Sequence, residues 1–149
     1  MLRAAILILL LTACAPTREG TYAAHGADLA TTGVGLAMGA AEANPLGIVA
    51  LPIKIAITEH IKTFPKDEQP QAYAALSAVT WGVVGNNACV IAGLATGGAL
   101  MPVCIALGLA TGFAYYEHAE KERNRQWLLD WCAEWVKQGP EYTCDMGDL

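Results

Sequence analysis

The sequence predicts an all-α protein: a membrane helical bundle of about four short helices, followed by an amphipathic C-terminal helix. Three observations carry this expectation. Apolar residues make up 54% of the 149-residue chain and charged residues only 15%, a balance weighted away from a water-soluble surface. No charged residue occurs from Gln71 to Tyr116, and ~20 apolar residues suffice for one crossing, so this run fits two helices. Beyond Glu117 the chain turns polar, yet Trp127, Trp131 and Trp135 recur every fourth residue, giving a helix one aromatic face. The length suits a single domain. The net charge of −5 comes with no arginine-rich run or basic patch, which excludes nucleic acid as a partner.

The N-terminal 14 residues, MLRAAILILLLTAC, contain a basic n-region at Arg3, an apolar h-region from Ala4 to Leu11 and small residues after it. Together these form a secretory signal over residues 1–13. Leu11-Thr12-Ala13-Cys14 resembles the lipobox of bacterial lipoproteins. That resemblance implies cleavage before Cys14, lipid on its thiol, and acylation of the new N-terminus with a chain such as palmitate. For a simple lipoprotein, Ala15 in place of Asp implies an outer-membrane address, which spanning helices would override. Residues 14–27 are small and polar and read as a tether.

The membrane region is assigned to 28–116. Asn44-Pro45 disfavours helix and starts a turn, which divides the first block into helices over about 27–43 and 46–62. A charged loop, KTFPKDEQP, fills 62–70. The paired glycines and Pro102 of TGGALMP (96–102) split the uncharged run into helices over about 71–97 and 101–116. The first two helices are short and Lys54 sits midway along the second, so a tilted or re-entrant hairpin is the alternative there. GLATG occurs at 93–97 and again at 108–112, and Gly35 with Gly39 makes a third small-xxx-small pair. Such spacing lets helix backbones approach closely. Residues 117–149 form an amphipathic helix and tail, stopped by Gly139-Pro140, with Glu117 and Lys121 spaced as a favourable i,i+4 pair.

On a helix at 100° per residue, Asp28, Thr32, Gly35, Gly39 and Glu42 share a sector of about 80°. A carboxylate facing lipid costs at least about 2.5 kcal/mol, so the stripe faces other helices or water. The two acids are separated by ~21 Å of helix, too far to act as one pair. An antiparallel hairpin about Asn44-Pro45 brings Asp28 level with Glu59 and His60, making His60 its expected partner. Asn86 or Asn87 then reaches Glu42, while Lys54 falls opposite Gly35 and out of easy reach. The candidate polar intramembrane stripe is therefore Asp28, Thr32, Glu42, His60 and Asn87. It reads either as an ion or proton path, or small polar-ligand site, or as glue between helices with Asp28 as an N-terminal cap; the second is favoured. The pattern Asp28-x2-Thr31-Thr32, Gly39, Glu42-x-Asn44-Pro45 resembles small uncharacterised multi-pass membrane proteins of bacteria and their phages. It implies membrane embedding and no particular activity.

Other chemistry finds little support. GVGLAMG at 33–39 lacks the preceding strand and following acid of a nucleotide site. His25, His60 and His118 are isolated from one another and no Cys-x-x-Cys exists, so no metal site and no cofactor are expected. His118 and Glu122 read as a solvated contact, no catalytic residue is assigned, and the chain is read as not an enzyme. Cys89 and Cys104 read as buried free thiols. Cys132 and Cys144 are expected to form a disulfide if the tail faces an oxidising compartment. A lipidated N-terminus and four spans put both termini on the periplasmic side of the inner (cytoplasmic) membrane. Trp127, Trp131 and Trp135 then serve as interfacial residues at the membrane face or on a partner. The functional expectation is a lipid-anchored integral membrane protein of the cell envelope, acting through helix and tail interactions. Its expected contacts are membrane lipid and either a second copy or a membrane partner. Two competing classes are a small ion/proton channel or transporter subunit using Asp28, Glu42 and His60, and a glycine-zipper outer-membrane lipoprotein.

Overall fold

A computed structural model of the chain describes residues 16–40, 46–98, 101–137 and 139. These residues form four helices: α1 (Arg18–Ala37), α2 (Leu46–Ile61), α3 (Gln69–Ala95) and α4 (Met101–Val136). No strand occurs among the described residues, so the class is all-α. The signal and lipobox, Glu42, Asn44-Pro45 and Cys144 lie outside the described residues.

The tether expectation needs correction, because the chain is already helical from Arg18. Thr17 is the cap: its hydroxyl accepts from the Gly20 N–H at 3.1 Å, with Glu19 in the first turn at the positive end of the helix dipole. Asp28, expected as a cap, instead sits in the middle of α1. The helix also stops earlier than residue 43. Gly39 adopts φ +82°, its N–H bonds to Leu36 O at 3.0 Å, and the Ala40 N–H bonds to Gly35 O at 3.0 Å. This paired arrangement consumes the last carbonyls and terminates the helix. Gly97 repeats the device after α3, with φ +68° and the Gly98 N–H on Gly93 O at 2.7 Å.

The tail is not a separate helix. α4 continues through Glu117 without a break for 36 residues, a rod ~54 Å long. Ion pairs along its polar half are spaced i,i+3: Glu120–Arg123, Glu122–Arg125 and Glu134–Lys137.

Paired residues fix the packing directions. α1 and α2 are antiparallel, since Arg18 meets Glu59 and Asp28 meets Lys54. α1 runs parallel to α3, with Thr21 beside Ser77 and Thr31 beside Asn87. α3 and α4 form an antiparallel hairpin, and α4 packs on α3 alone among the described helices.

That hairpin is held at unusually close range. A Cβ on Gly108 would lie 2.7 Å from Gly82 O, and one on Gly112 would lie 2.9 Å from Ala78 O. Only hydrogen at these positions permits the approach. The second GLATG copy therefore packs closely as expected, against Ala78 and Gly82. Ala74, Ala78, Tyr115 and Ala119 continue the contact toward the other end of the hairpin, with Trp81 stacked on Tyr115 at 6.3 Å. Near the α3–α4 turn, Cys89 and Cys104 are joined in a disulfide with Cα atoms 5.2 Å apart. This corrects the reading of both as free thiols: close packing places the two Cα atoms within bridging distance.

The glycine contact makes a direct prediction. Gly108→Ala should lower stability by about 1–3 kcal/mol, the usual cost of overpacking. Gly26→Ala, where nothing lies within 4 Å of the new Cβ, should be neutral or raise stability by about 0.5–1 kcal/mol. Thermal unfolding of the purified variants followed by circular dichroism reads the difference, and equal effects would contradict the interface.

Candidate functional site

Because α1 starts at Arg18, Thr21, His25, Asp28, Thr32 and Gly35 fall within a sector of about 100° of one helix. They form a polar seam facing α2 and α3. At its first step, Ser77 donates to the Thr21 hydroxyl at 2.9 Å, while Thr21 donates to Thr17 O at 3.0 Å. One turn on, the Thr58 hydroxyl donates to Lys54 O at 2.8 Å and so accepts from His25 Nε2–H at 3.0 Å. That leaves His25 Nδ1 facing the Thr80 hydroxyl at 3.5 Å. Thr21, Thr58, Ser77 and Thr80 are each completely buried.

The third step is ionic. Lys54 Nζ lies 2.5 Å from Asp28 Oδ2, with side chains 16% and 9% exposed. Asn87 Nδ2 reaches Asp28 Oδ1 at 3.2 Å and the hydroxyls of Thr31 and Thr32 at 3.3 and 3.2 Å. Three helices thus meet on one carboxylate, whose charge is balanced by an ammonium and each of whose oxygens accepts a hydrogen bond.

At the rim near the start of α1, Glu59 accepts from Arg18 at 2.7 Å and Tyr22 at 2.5 Å and pairs with Lys62.

Of the expected stripe, Asp28, Thr32 and Asn87 come together. His60 does not: it is exposed at the end of α2 and packs edge-on against Phe64 at 5.5 Å. The partner of Asp28 is Lys54, which had been placed out of reach. The reason is register. α1 ends at Ala37 while α2 begins at Leu46 as expected, so the facing position moves from His60 back to Lys54. Sequence reasoning also missed Thr21, His25, Thr58, Ser77 and Thr80. The three-to-four spacing of Thr21, His25, Asp28 and Thr32 was the available signal, hidden by the assumption of a tether.

Beside the seam, α1 and α2 on one side and α4 on the other leave a groove over α3 of about 880 Å³. Val79, Val83, Asn86 and Val90 form its floor, Asp28, Thr32 and Lys54 one wall, and Ile105, Leu109 and Phe113 the other. Among the described residues no three His, Cys, Asp or Glu side chains are grouped to hold a metal ion. On the tail, Trp127 stacks on Trp131 at 6.5 Å and Trp131 on Trp135 at 4.8 Å. Cys132 is disulfide-bonded.

No protein-family model matches the chain, and no curated protein or solved structure does either.

Removing one member of the buried pair exposes its worth. Lys54→Met should cost about 3–5 kcal/mol by stranding the Asp28 charge, and the Asp28→Asn, Lys54→Met double variant should recover most of that. Lys62→Met, at the half-exposed rim, should have little effect. Chemical denaturation of the three variants measures the ranking, and a Lys54→Met protein as stable as Lys62→Met would contradict the buried pair.

Proposed function

We propose that this chain is an integral membrane protein of the cell envelope, lipid-anchored at Cys14, which acts through helix and tail interactions rather than catalysis. One observation carries the reading: polarity is inverted. The buried polar side chains are Thr21, His25, Asp28, Thr58, Ser77 and Thr80, whereas Ile53, Val103, Ile105, Leu109 and Phe113 are each more than half exposed. Water would penalise that arrangement on both counts, and hydrocarbon reverses the sign of each term. The stretch Gln69–Leu94 of α3 is long and apolar enough to cross a membrane, and only 28% of its most apolar window is buried. A core helix of a water-soluble domain would be mostly buried. The polar seam then serves as glue between helices, since polar groups facing inward satisfy one another where lipid offers no partner.

In the inner (cytoplasmic) membrane, four spans with an exported N-terminus put the charged rim and the tail on the periplasmic side. The disulfide at Cys132 suits an oxidising compartment. A second reading, an outer-membrane lipoprotein of glycine-zipper type, is favoured by the Cys89–Cys104 disulfide. It lies near the α3–α4 turn, ~42 Å along α4 from Cys132, at the end that the four-span topology turns toward the reducing cytosol.

The test combines extraction, density separation and labelling in expressing cells. The chain should stay in the membrane pellet after alkaline wash, and Cys14→Ala should abolish lipid incorporation. Density separation should place it with the inner membrane. A bulky impermeant maleimide should label Cys132 in intact cells only after reduction. Release by alkaline wash would overturn the reading, and co-migration with the outer membrane would select the second one.

A further inference from the structure

We infer that the groove over α3 binds an isoprenoid quinone, its carbonyl oxygens against the polar wall and its chain along the apolar floor. The inference rests on the membrane reading. The groove encloses about 880 Å³, within the range of small-molecule sites, which combine apolar walls with a few convergent polar groups. From Ala75 to Ile91 it follows α3 for ~24 Å, long enough for a head and an extended chain. Val79 on its floor is 67% exposed, and Leu109 and Phe113 on the α4 wall are 61% and 70% exposed.

Unused hydrogen-bond groups, charge and depth together select that chemistry. Lys54 borders the groove and gives one of its three N–H groups to Asp28. Asn86 borders it too, and its side-chain amide forms no hydrogen bond among the described residues. The adjacent Asn87, by contrast, gives its own amide to Asp28, Thr31 and Thr32. In hydrocarbon an unmet N–H is costly, and a carbonyl oxygen on the occupant would satisfy it. The charges of Asp28 and Lys54 balance each other, and Ile105, Leu109 and Phe113 of the facing wall carry none. A charged occupant would therefore stand unpaired at low dielectric. Asp28 lies ten residues from Arg18, and Asn87 lies ten from Gly97. The polar wall is thus ~15 Å from either end, in the middle of a ~30 Å hydrocarbon core. Phospholipid ester carbonyls stay at the boundary of that core, ~15 Å away, and acyl chains offer no acceptor at the midplane. An isoprenoid quinone is uncharged, carries only acceptors on its head, and dissolves in hydrocarbon, so its head reaches this level.

The test uses the full chain in native membranes, with an azido-ubiquinone bearing a ten-carbon tail as the photoreactive probe. Illumination should attach the probe to the α3 and α4 peptides that border the groove, and excess decylubiquinone should prevent the attachment. Asn86→Leu should weaken binding about fivefold, the loss of one hydrogen bond. Val79→Trp, which fills the floor, should abolish groove labelling. Ile57→Trp, at an exposed position of α2 outside the groove, should leave it unchanged. Uncompeted labelling of the parent chain, or equal labelling of all three variants, overturns the inference; the first of these needs no variant to fold. A phosphatidylcholine with a diazirine at the end of one acyl chain is applied in parallel. If it labels the groove peptides and decylubiquinone does not reduce that labelling, an acyl chain fills the groove and the quinone site falls. Alkaline washing of the same membranes separates the two levels. A retained chain without competed labelling loses the quinone site alone. A released chain loses the membrane reading and, with it, the depth on which the site rests.

Discussion

Asp28 and Lys54 face each other at 2.5 Å with side chains 9% and 16% exposed, and neither charge tolerates that depth without the other. The neighbouring elements are arranged around this requirement. α2 must run antiparallel to α1 in a register that brings Lys54 level with Asp28. α3 must lie parallel to α1 so that Asn87 closes the remaining side of the carboxylate. The hydroxyls of Thr21, Thr58, Ser77 and Thr80 and the His25 ring extend the same arrangement up the seam. Each of these seam side chains finds a partner on another helix. Such a seam specifies one register more sharply than apolar packing does, because a shift of one turn would break several bonds at once.

The other half of the bundle obeys a different rule. α3 and α4 are joined by proximity of backbone, with hydrogens of Gly108 and Gly112 against the carbonyls of Gly82 and Ala78, and by the Cys89–Cys104 bridge near the turn. α4 touches no other described helix. This asymmetry leaves the groove. A polar three-helix wedge and a glycine hairpin share α3 and diverge on one side of it, with the apolar face of α4 left open.

Much of the architecture was legible in the sequence, and its failures have physical causes. The helical class, the breaks at 62–68 and 96–98, and the placing of Asp28 and Thr32 on one helix face follow from charge placement, Gly/Pro punctuation and helical periodicity, whereas Asn87, expected beside Glu42, meets Asp28 instead. The start of α1 did not follow. A segment of Thr, Arg, Glu, Gly, Tyr and His reads as a polar tether until its partners on α2 and α3 are known. The end of α1 was misplaced as well: ending the first helix six residues too late shifted the facing residue from Lys54 to His60. The Cys89–Cys104 bridge was also hidden, because two cysteines in apolar helices are ordinary packing residues unless the register of the hairpin is fixed. The unbroken α4 was obscured by its change in composition at Glu117, where the environment changes and the backbone does not.

The inversion of polarity is open to one direct measurement: the accessibility of spin labels at single introduced cysteines, with native disulfides intact, in reconstituted bilayers. Labels at Ile53 and Val103, both more than half exposed, would be relaxed strongly by oxygen and weakly by a water-soluble nickel chelate. A label at Thr63, on the loop after α2, would show the opposite. Access of the nickel chelate to Ile53 and Val103 as free as to Thr63 would mean that the apolar face meets water, and would contradict a bundle built with its polar groups inside and its apolar groups toward lipid.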